Sequence, residues 1–302
     1  MSRIATPIRA ARWAGLALAS LGAIACSGKS SKPAPPPEPA PTPLTELAVG
    51  RVAADLAKPD PDAAYWRGVP EGIVTLVAQP MVTPRPETTT TDQVFVKAVT
   101  DGKLAAFRLR WKDSERSEAG RLGEFSDAMA VEFPVSVDPL PPVMMGAPGQ
   151  AVHIFHWRAQ YQRDHERGKP TPQDLYPNVS VDMYPMEFKD QPDGHVADRE
   201  QFSPGTAEGN PQSYAKLGVD EIIAEGFSTS SVQQPSAGDA AHAEWRAGEW
   251  TLVIVRPLAV EGGSKLVAGQ RNYIGFAAWQ GGQQEVASRK SVTMAWTPVT
   301  IQ

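Results

Sequence analysis

The frequency of chain-breaking residues most constrains how this sequence can fold. Its 302 residues include 29 prolines and 25 glycines. Long helices do not tolerate this, because proline removes a helical hydrogen bond and glycine disfavours helix. Short strands separated by turns suit the composition, and almost no segment repeats apolar residues at the helical period. The sequence therefore predicts an all-β fold, either an antiparallel β-sandwich or a barrel.

Short apolar or alternating segments are predicted as the strands of this fold. They are residues 73–78, 93–100, 104–111, 128–137, 151–157, 250–257, 273–279 and 290–301. Asp101 and Gly102 supply the positive φ of a hairpin turn between two of them. Residues 158–234 are polar and proline-rich, with a helical patch at 219–224. We predict a long, partly helical loop insertion there, which serves as a lid or a docking surface.

The N-terminus carries an export signal. Three arginines precede an apolar stretch, residues 13–25, which is too short to span a bilayer as a stable helix. Cys26, the single cysteine, follows directly and is interpreted as the lipid acceptor of a bacterial lipoprotein. Ala23-Ile24-Ala25 also fits ordinary signal cleavage. In both cases the mature protein is exported, and lipidation would anchor it in the cell envelope, facing the periplasm.

These signals predict the domain organisation. Residues 1–25 form the signal peptide, and residues 26–43 form a proline-rich tether of extended character. Residues 44–302 form one folded domain. The net charge of −5 argues against a nucleic-acid partner, which requires a basic surface.

Several common sites are absent from the sequence. There is no Cys-x-x-Cys-His motif for covalent c-type haem and no cysteine cluster for zinc or iron–sulfur. Phosphate-binding loops, dinucleotide fingerprints and the Gly-x-Ser-x-Gly elbow are also missing. The five histidines are scattered. His153 and His156 face opposite sides of one strand, so they cannot share a metal.

The last predicted strand places a lysine in an apolar row. Lys290, Val292, Met294 and Trp296 share one face, because side chains two apart in a strand point the same way. Burying an unpaired ammonium costs several kcal/mol or forces the amine to lose its proton. A neutral lysine amine is a nucleophile, a base or a metal ligand.

Two methionines form a second feature. Met144 and Met145 follow Pro141-Pro142-Val143 and precede Gly146, which predicts a rigid corner. Methionine is most often core filler, and the alternative is a soft ligand to iron or copper. An inward lysine and a pinned methionine can together be the two axial ligands of one haem b. Such an iron has no open position, which indicates electron transfer rather than catalysis.

Several segments of the sequence, taken in their order along the chain, resemble the haem b (gamma) subunits of ethylbenzene dehydrogenase and related enzymes. These relatives are periplasmic type II molybdoenzymes of the dimethyl-sulfoxide-reductase family. These include dimethylsulfide dehydrogenase, selenate reductase and chlorate reductase. The resemblance runs from about Ala98 to the C-terminus, and no single block carries it alone. The blocks are residues 98–102, 109–113, 125–134, 145–146, 152–157, 208–211, 224–227, 250–256, 276–281 and 289–296.

The resemblance implies a β-sandwich that binds one non-covalent haem b between Met145 and Lys290, with Met144 as the alternative to Met145. It implies electron transfer between an iron–sulfur subunit, next to a molybdopterin subunit, and an external carrier such as a c-type cytochrome. Trp279 and Trp296 would be pocket or core aromatics. The family's usual aspartate is Gln280 here, which could alter the haem edge or a partner contact.

Two other functions remain open from the sequence. The same architecture resembles carbohydrate-binding modules, in which exposed tryptophans stack on sugars. An enzyme could use Lys290 as a base or a Schiff-base nucleophile, although no second acid, base or anion-binding loop is evident beside it.

Overall fold

The computed structural model describes residues 40–302 except 119, 169, 171, 179–207 and 209–217. Strands dominate this part of the chain, which confirms the all-β prediction. The strands are β1 (Thr42–Pro43), β2 (Leu47–Arg51), β3 (Gly72–Thr75), β4 (Val77–Ala78), β5 (Gln93–Thr100), β6 (Leu104–Lys112), β7 (Ala128–Pro134), β8 (Val152–Arg158), β9 (Val219–Ala224), β10 (Ser231–Val232), β11 (Ala240–Arg246), β12 (Glu249–Pro257), β13 (Asn272–Trp279), β14 (Ser291–Val292) and β15 (Thr297–Ile301). The α-helices are α1 (Ala159–Arg167) and α2 (Pro172–Leu175).

The strands form one continuous hydrogen-bonded path, β10-β9-β8-β7-β13-β15-β2-β5-β6-β12-β11. β3 pairs with β5 and β1, while β14 pairs with β13 and β4. Three short pairings, β1–β3, β2–β5 and β2–β15, are parallel, so the sheet is mixed rather than purely antiparallel. We call β4, β7–β10, β13 and β14 the β8 half, and β1, β3, β5, β6, β11 and β12 the β6 half.

Aromatic side chains join the two halves. The Phe107 ring in β6 lies 5.5 Å from the Phe133 ring in β7. Trp157 in β8 lies edge-on to Trp111 and Trp250 of the β6 half, at 6.2 and 5.1 Å. All five side chains are buried, and rings of this size contribute much of a core's apolar area. The arrangement of the strands as a β-sandwich stays a prediction.

The predicted helical patch at residues 219–224 was wrong. This segment is strand β9, paired along its whole length with β8. Val219, Ile222 and Ile223 are β-branched and fit a half-buried sheet position, so tertiary pairing overrides the weak helical pattern. The helical part of the predicted insertion lies earlier, in α1, which begins directly after β8.

The predicted strand 290–301 is also divided. β14 ends at Val292, and β15 begins at Thr297. Met294 lies between them and is 49% exposed, so the predicted apolar row of alternate side chains does not continue past Val292.

The chain before the domain lies mostly outside the described residues, including Cys26. Thr42–Pro43, at the end of the predicted tether, form β1 and pair with Gly72–Ile73 of β3. The domain boundaries otherwise stay a prediction. Among residues the structure describes, no helix combines the length and the apolar character that a bilayer crossing needs.

Two buried acids, Asp113 and Asp127, lie next to each other near Trp250. The carboxylate of Asp127 accepts hydrogen bonds from the backbone N–H groups of Ser117 and Gly281 and from the Trp250 indole. Burial and the neighbouring Asp127 raise the pKa of Asp113 to about 8. Because an unfolded aspartate has a pKa of about 4, the native state binds more protons between about pH 4 and pH 8. This pair therefore lowers stability as the pH rises through that window.

We expect Asp113→Asn to flatten this pH dependence, because an amide cannot ionise. The measurement is the denaturant midpoint of wild type and variant from pH 5 to 8.5. The difference between the two proteins isolates Asp113 from other buried acids. Exposed Asp92→Asn is the matched control and should run parallel to wild type. Parallel curves for Asp113→Asn as well would contradict the expectation.

Candidate functional site

A cavity of about 620 Å³ lies against one face of the β8 half. Cofactor pockets typically measure about 300–1,000 Å³. Its floor includes Ala130 of β7 and Ala277 of β13, which are directly paired, and Ile154 of β8 opposite Ile222 of β9. Two alanines side by side leave room above the sheet that larger residues would fill. The sheet thus builds an apolar floor from four neighbouring strands.

The methionine corner forms one wall. Val143, Met144 and Met145 line the cavity from the loop between β7 and β8. Met145 and Gly146 adopt consecutive left-handed conformations, with φ of 65° and 70°. A Cβ on Gly146 would lie 2.4 Å from the Gln150 carbonyl oxygen, so glycine is required there.

The left-handed backbone of Met145 is held by its surroundings. Its carbonyl accepts a hydrogen bond from Gly226 N–H at 2.7 Å, and Gly146 N–H donates to Pro142 O at 3.2 Å. A non-glycine residue in this region costs roughly 1–2 kcal/mol. Such strain persists where surrounding contacts enforce it, often at functional sites. These hydrogen bonds stabilise the backbone conformation of the corner, and its rigidity stays a prediction.

Lys290 lines the same cavity from the residue before β14. Its carbonyl accepts a hydrogen bond from Gln79 N–H at 3.0 Å, and its Nζ lies 5.0 Å from the centre of the Trp279 ring. Burial lowers the pKa of Lys290, and the nearby Glu132 opposes this shift. Its amine therefore loses its proton more readily than an exposed lysine does, which a metal ligand requires.

Glu132 of β7 is a site residue that the sequence reasoning missed. It lines the cavity, and its carboxyl group lies near the backbone N–H of Met145. Burial raises the pKa of Glu132 to about 8, against the opposing effects of Lys290 and the Met145 N–H. The carboxyl group thus lies near both predicted ligands. An acid at an alternate position of the apolar β7 was the signal that could have revealed it.

His156 and Arg158 form the polar part of the wall. Both lie on the cavity face of β8. The buried Nε2 of His156 has no hydrogen-bond partner among the described residues, and its ring lies 4.9 Å from Trp279. Burial, followed by the charges of Arg158 and Lys290, lowers the pKa of His156 well below its ordinary value, so the imidazole is neutral at pH 7.

His153 faces away from this cavity, as predicted. Its ring contacts Ser264 Oγ at 3.0 Å and Glu221 Oε1 at 2.9 Å in a fully buried network. Arg256 donates to the same serine hydroxyl. The network fixes the loop after β12 against β8 and β9, and none of its residues lines the cavity.

The structure places three other residues from the sequence analysis, Trp279, Trp296 and Gln280, in different surroundings. Trp279 lines the cavity and donates its indole N–H to Ala287 O at 3.0 Å. Trp296 donates to Pro141 O at 2.7 Å and so supports the methionine corner. Gln280 is buried outside the cavity wall, where its amide donates to Thr90, Thr91 and Lys112. Its role is to join loops rather than to shape the cavity.

The donor set of the cavity fits a haem. Within the ranges the structure covers, no cluster of three or more histidine, cysteine, aspartate or glutamate side chains could hold a bare metal ion. A thioether and an amine of lowered pKa line one apolar space instead. The Nε2 of His156, in the wall of the cavity, has no hydrogen-bond partner among the described residues, so a polar atom of a bound group could satisfy it. A flat, apolar, metal-bearing group with a few polar atoms matches these needs.

Comparison with known proteins supports the same assignment. A protein from Haloferax mediterranei, named as a respiratory nitrate reductase heme subunit, is 25% identical over 83% of this chain and 71% of its own length. The chlorate reductase subunit gamma of Ideonella dechloratans is 29% identical over 78% of this chain and 77% of its own.

Among solved structures, a family 9 carbohydrate-binding module from Caldicellulosiruptor kristjanssonii in complex with glucose covers 85% of this chain at 8% identity. The match spans 95% of that module with a TM-score of 0.41, which is too low to establish a shared fold. The family described as ethylbenzene dehydrogenase matches residues 63–291, well over half of the sequence. The chain belongs to the ethylbenzene dehydrogenase family.

Proposed function

We propose that this chain is the electron-transfer haem subunit of a molybdenum oxidoreductase complex. One observation carries the proposal: Met145 and Lys290, distant in sequence, line one apolar cavity in which the lysine pKa is lowered. The curated relatives are named as a nitrate reductase heme subunit and a chlorate reductase gamma subunit. A chain of this family with this cavity suits the same role.

Different residues of the cavity would perform different tasks in this role. Met145, with Met144 as the alternative, and Lys290 would hold a haem b without a covalent bond. When bound, the haem supplies a one-electron iron couple. The strained, hydrogen-bonded corner fixes the thioether in position. The apolar floor of Ala130 and Ala277 excludes water and lowers the local dielectric, which favours the neutral amine.

The partners follow from the same proposal. An iron–sulfur subunit and a molybdopterin subunit would lie on one side of the electron path, and a c-type cytochrome or similar carrier on the other. We further propose that Cys26 is lipidated and that the proline-rich segment holds the domain at the periplasmic face of a membrane. The charged and apolar N-terminal regions, followed directly by this cysteine, support the anchor.

Specific observations argue against the two alternative functions, sugar binding and lysine catalysis. A sugar-binding platform needs exposed tryptophans, and none of the tryptophans in the described ranges is exposed. The lysine-base enzyme was disfavoured because no acid was expected near Lys290, and that expectation was wrong, since Glu132 lies beside it. Family membership and the methionine corner still favour haem binding over lysine catalysis.

The proposal is tested by haem titration of the purified apoprotein. We expect one haem per chain, with the sharp reduced bands of a low-spin, six-coordinate iron. Ala277→Phe should fill the cavity floor and weaken binding by at least about tenfold, equivalent to about 1.4 kcal/mol. Thermal unfolding should stay cooperative, because the new ring points into the cavity and not into the core.

The matched control is Ala48→Phe, which places the same ring on exposed β2. It should bind haem like wild type. A wild-type protein that binds no haem, or an Ala277→Phe protein that binds it equally well, would overturn the assignment.

A further inference from the structure

We propose that Arg158 and His156, side by side on the cavity face of β8, bind the carboxylate groups of the haem. This inference rests on the proposed function and extends it to the recognition of the ligand's anionic end. The two residues are two positions apart on one strand, so their side chains leave the sheet in the same direction. Both line the cavity.

Arg158 is a cation without a carboxylate partner in the described structure. Its side chain makes no hydrogen bond or ion pair with the described residues, and its guanidinium lies over the Tyr161 ring at 5.1 Å. The side chain is partly exposed. A guanidinium offers five N–H donors in a planar fork that matches a carboxylate. Stacking holds this fork in place while its donors stay available for a ligand.

His156 supplies a second donor deeper in the wall. Its Nε2 is buried without a partner in the described part of the chain, which costs free energy until a ligand satisfies it. Trp279 packs against the ring and limits its rotation. In the tautomer that carries hydrogen on Nε2, the neutral imidazole donates to a carboxylate. Two unsatisfied donors on one strip of a mostly apolar cavity point to an acidic ligand group.

Asp220 of β9 also borders this end, and its charge must be considered. It pairs in register with His156, and its carboxylate accepts a hydrogen bond from the Tyr161 hydroxyl at 2.6 Å. Tyr161 thus contacts both Arg158 and Asp220. The nearby acid offsets the long-range attraction of Arg158 for anions. The recognition we propose is therefore short-ranged, through donated hydrogen bonds.

The chemical groups of haem match the two kinds of donor that line the cavity. Apart from its iron, haem b presents two carboxylates on an apolar ring. Methionine and lysine are the donors suited to iron, and Arg158 and His156 are those suited to carboxylates. The partial exposure of Arg158 suits groups that keep some contact with water.

The test compares haem with haem dimethyl ester, in which both carboxylates are blocked. Absorbance titrations of the full domain give the dissociation constant of each compound for wild type, Arg158→Gln and His156→Phe. We expect wild type to bind haem more tightly than the ester by about tenfold or more. Arg158→Gln should weaken haem binding by a similar factor and leave ester binding unchanged. His156→Phe, which keeps a ring against Trp279, should also reduce the preference for haem.

The matched control is Arg116→Gln, since Arg116 also lies over an aromatic ring, Trp250, but does not line the cavity. It should keep the wild-type preference. Equal haem and ester affinities in wild type, or an Arg158→Gln protein that weakens both compounds alike, would overturn the inference and leave the proposed function intact. If wild type bound neither compound, the proposed function would fail and this inference with it.

Discussion

Replacing Lys290 by alanine is expected to remove one axial ligand and to leave a five-coordinate, high-spin haem. Loss of outer contacts around a metal site typically costs about 10- to 100-fold in affinity, so a lost ligand should cost at least that much. The fold should survive, because the change removes an amine whose burial is unfavourable, as its lowered pKa shows. Absorbance and electron paramagnetic resonance spectra of the reconstituted variant measure the spin state, and titration measures the affinity.

Lys97→Ala is the matched control for this experiment. Lys97 is another buried lysine, 3% exposed on β5, whose Nζ donates to Trp66 O in the β6 half. It does not line the haem cavity, so its removal should leave the low-spin spectrum unchanged. An unchanged spectrum in Lys290→Ala would show that another group ligates the iron.

Replacing Met145 by alanine is expected to lower the midpoint potential of the bound haem. A thioether ligand favours ferrous iron, and axial ligands together tune haem potentials over about 0.8 V. We therefore expect a fall on the order of 0.1 V, a modest part of that range. Alanine accepts the left-handed backbone about as well as methionine, so the corner should keep its shape. Redox titration followed by absorbance gives the potential.

Met144→Ala separates the two candidate thioethers. Both methionines line the cavity, but the backbone N–H of Met145 lies near the carboxyl group of Glu132, and its carbonyl accepts a hydrogen bond from Gly226 N–H. These contacts favour Met145 as the fixed ligand. We expect Met144→Ala to keep the wild-type potential within a few tens of mV, small against the range of about 0.8 V. The opposite pattern would assign the ligand to Met144.

The sequence predicted the regular strands well, because local pattern decides them. The predicted strand 93–100 matches β5, and the Asp101-Gly102 turn joins it to β6 as expected. Residues 219–224 were misassigned because their strand conformation depends on β8, more than 60 residues earlier in the chain. Strand β11 was missed, since its apolar and polar residues do not alternate clearly.

Some residues of the candidate site could likewise be identified from their local sequence, and others could not. Lys290, Met144 and Met145 could be proposed because their own neighbours in the sequence are unusual. Glu132, His156 and Arg158 could not, since their importance depends on the register of β7, β8, β9 and β13 across one sheet. The reason given for Lys290 was partly wrong: the apolar row stops at Val292, and the cavity, rather than a continuous strand face, receives the lysine.

The separation of the two predicted ligands along the chain has a consequence for biosynthesis. The methionine corner lies between β7 and β8, whereas Lys290 comes more than 140 residues later and is positioned by β14, which pairs with both β13 and β4. A nascent chain therefore lacks one wall of the cavity until both segments have been synthesised. If the cavity holds haem as proposed, stable insertion requires β14 to pair with β13 first, so the prosthetic group enters a domain that is already largely folded.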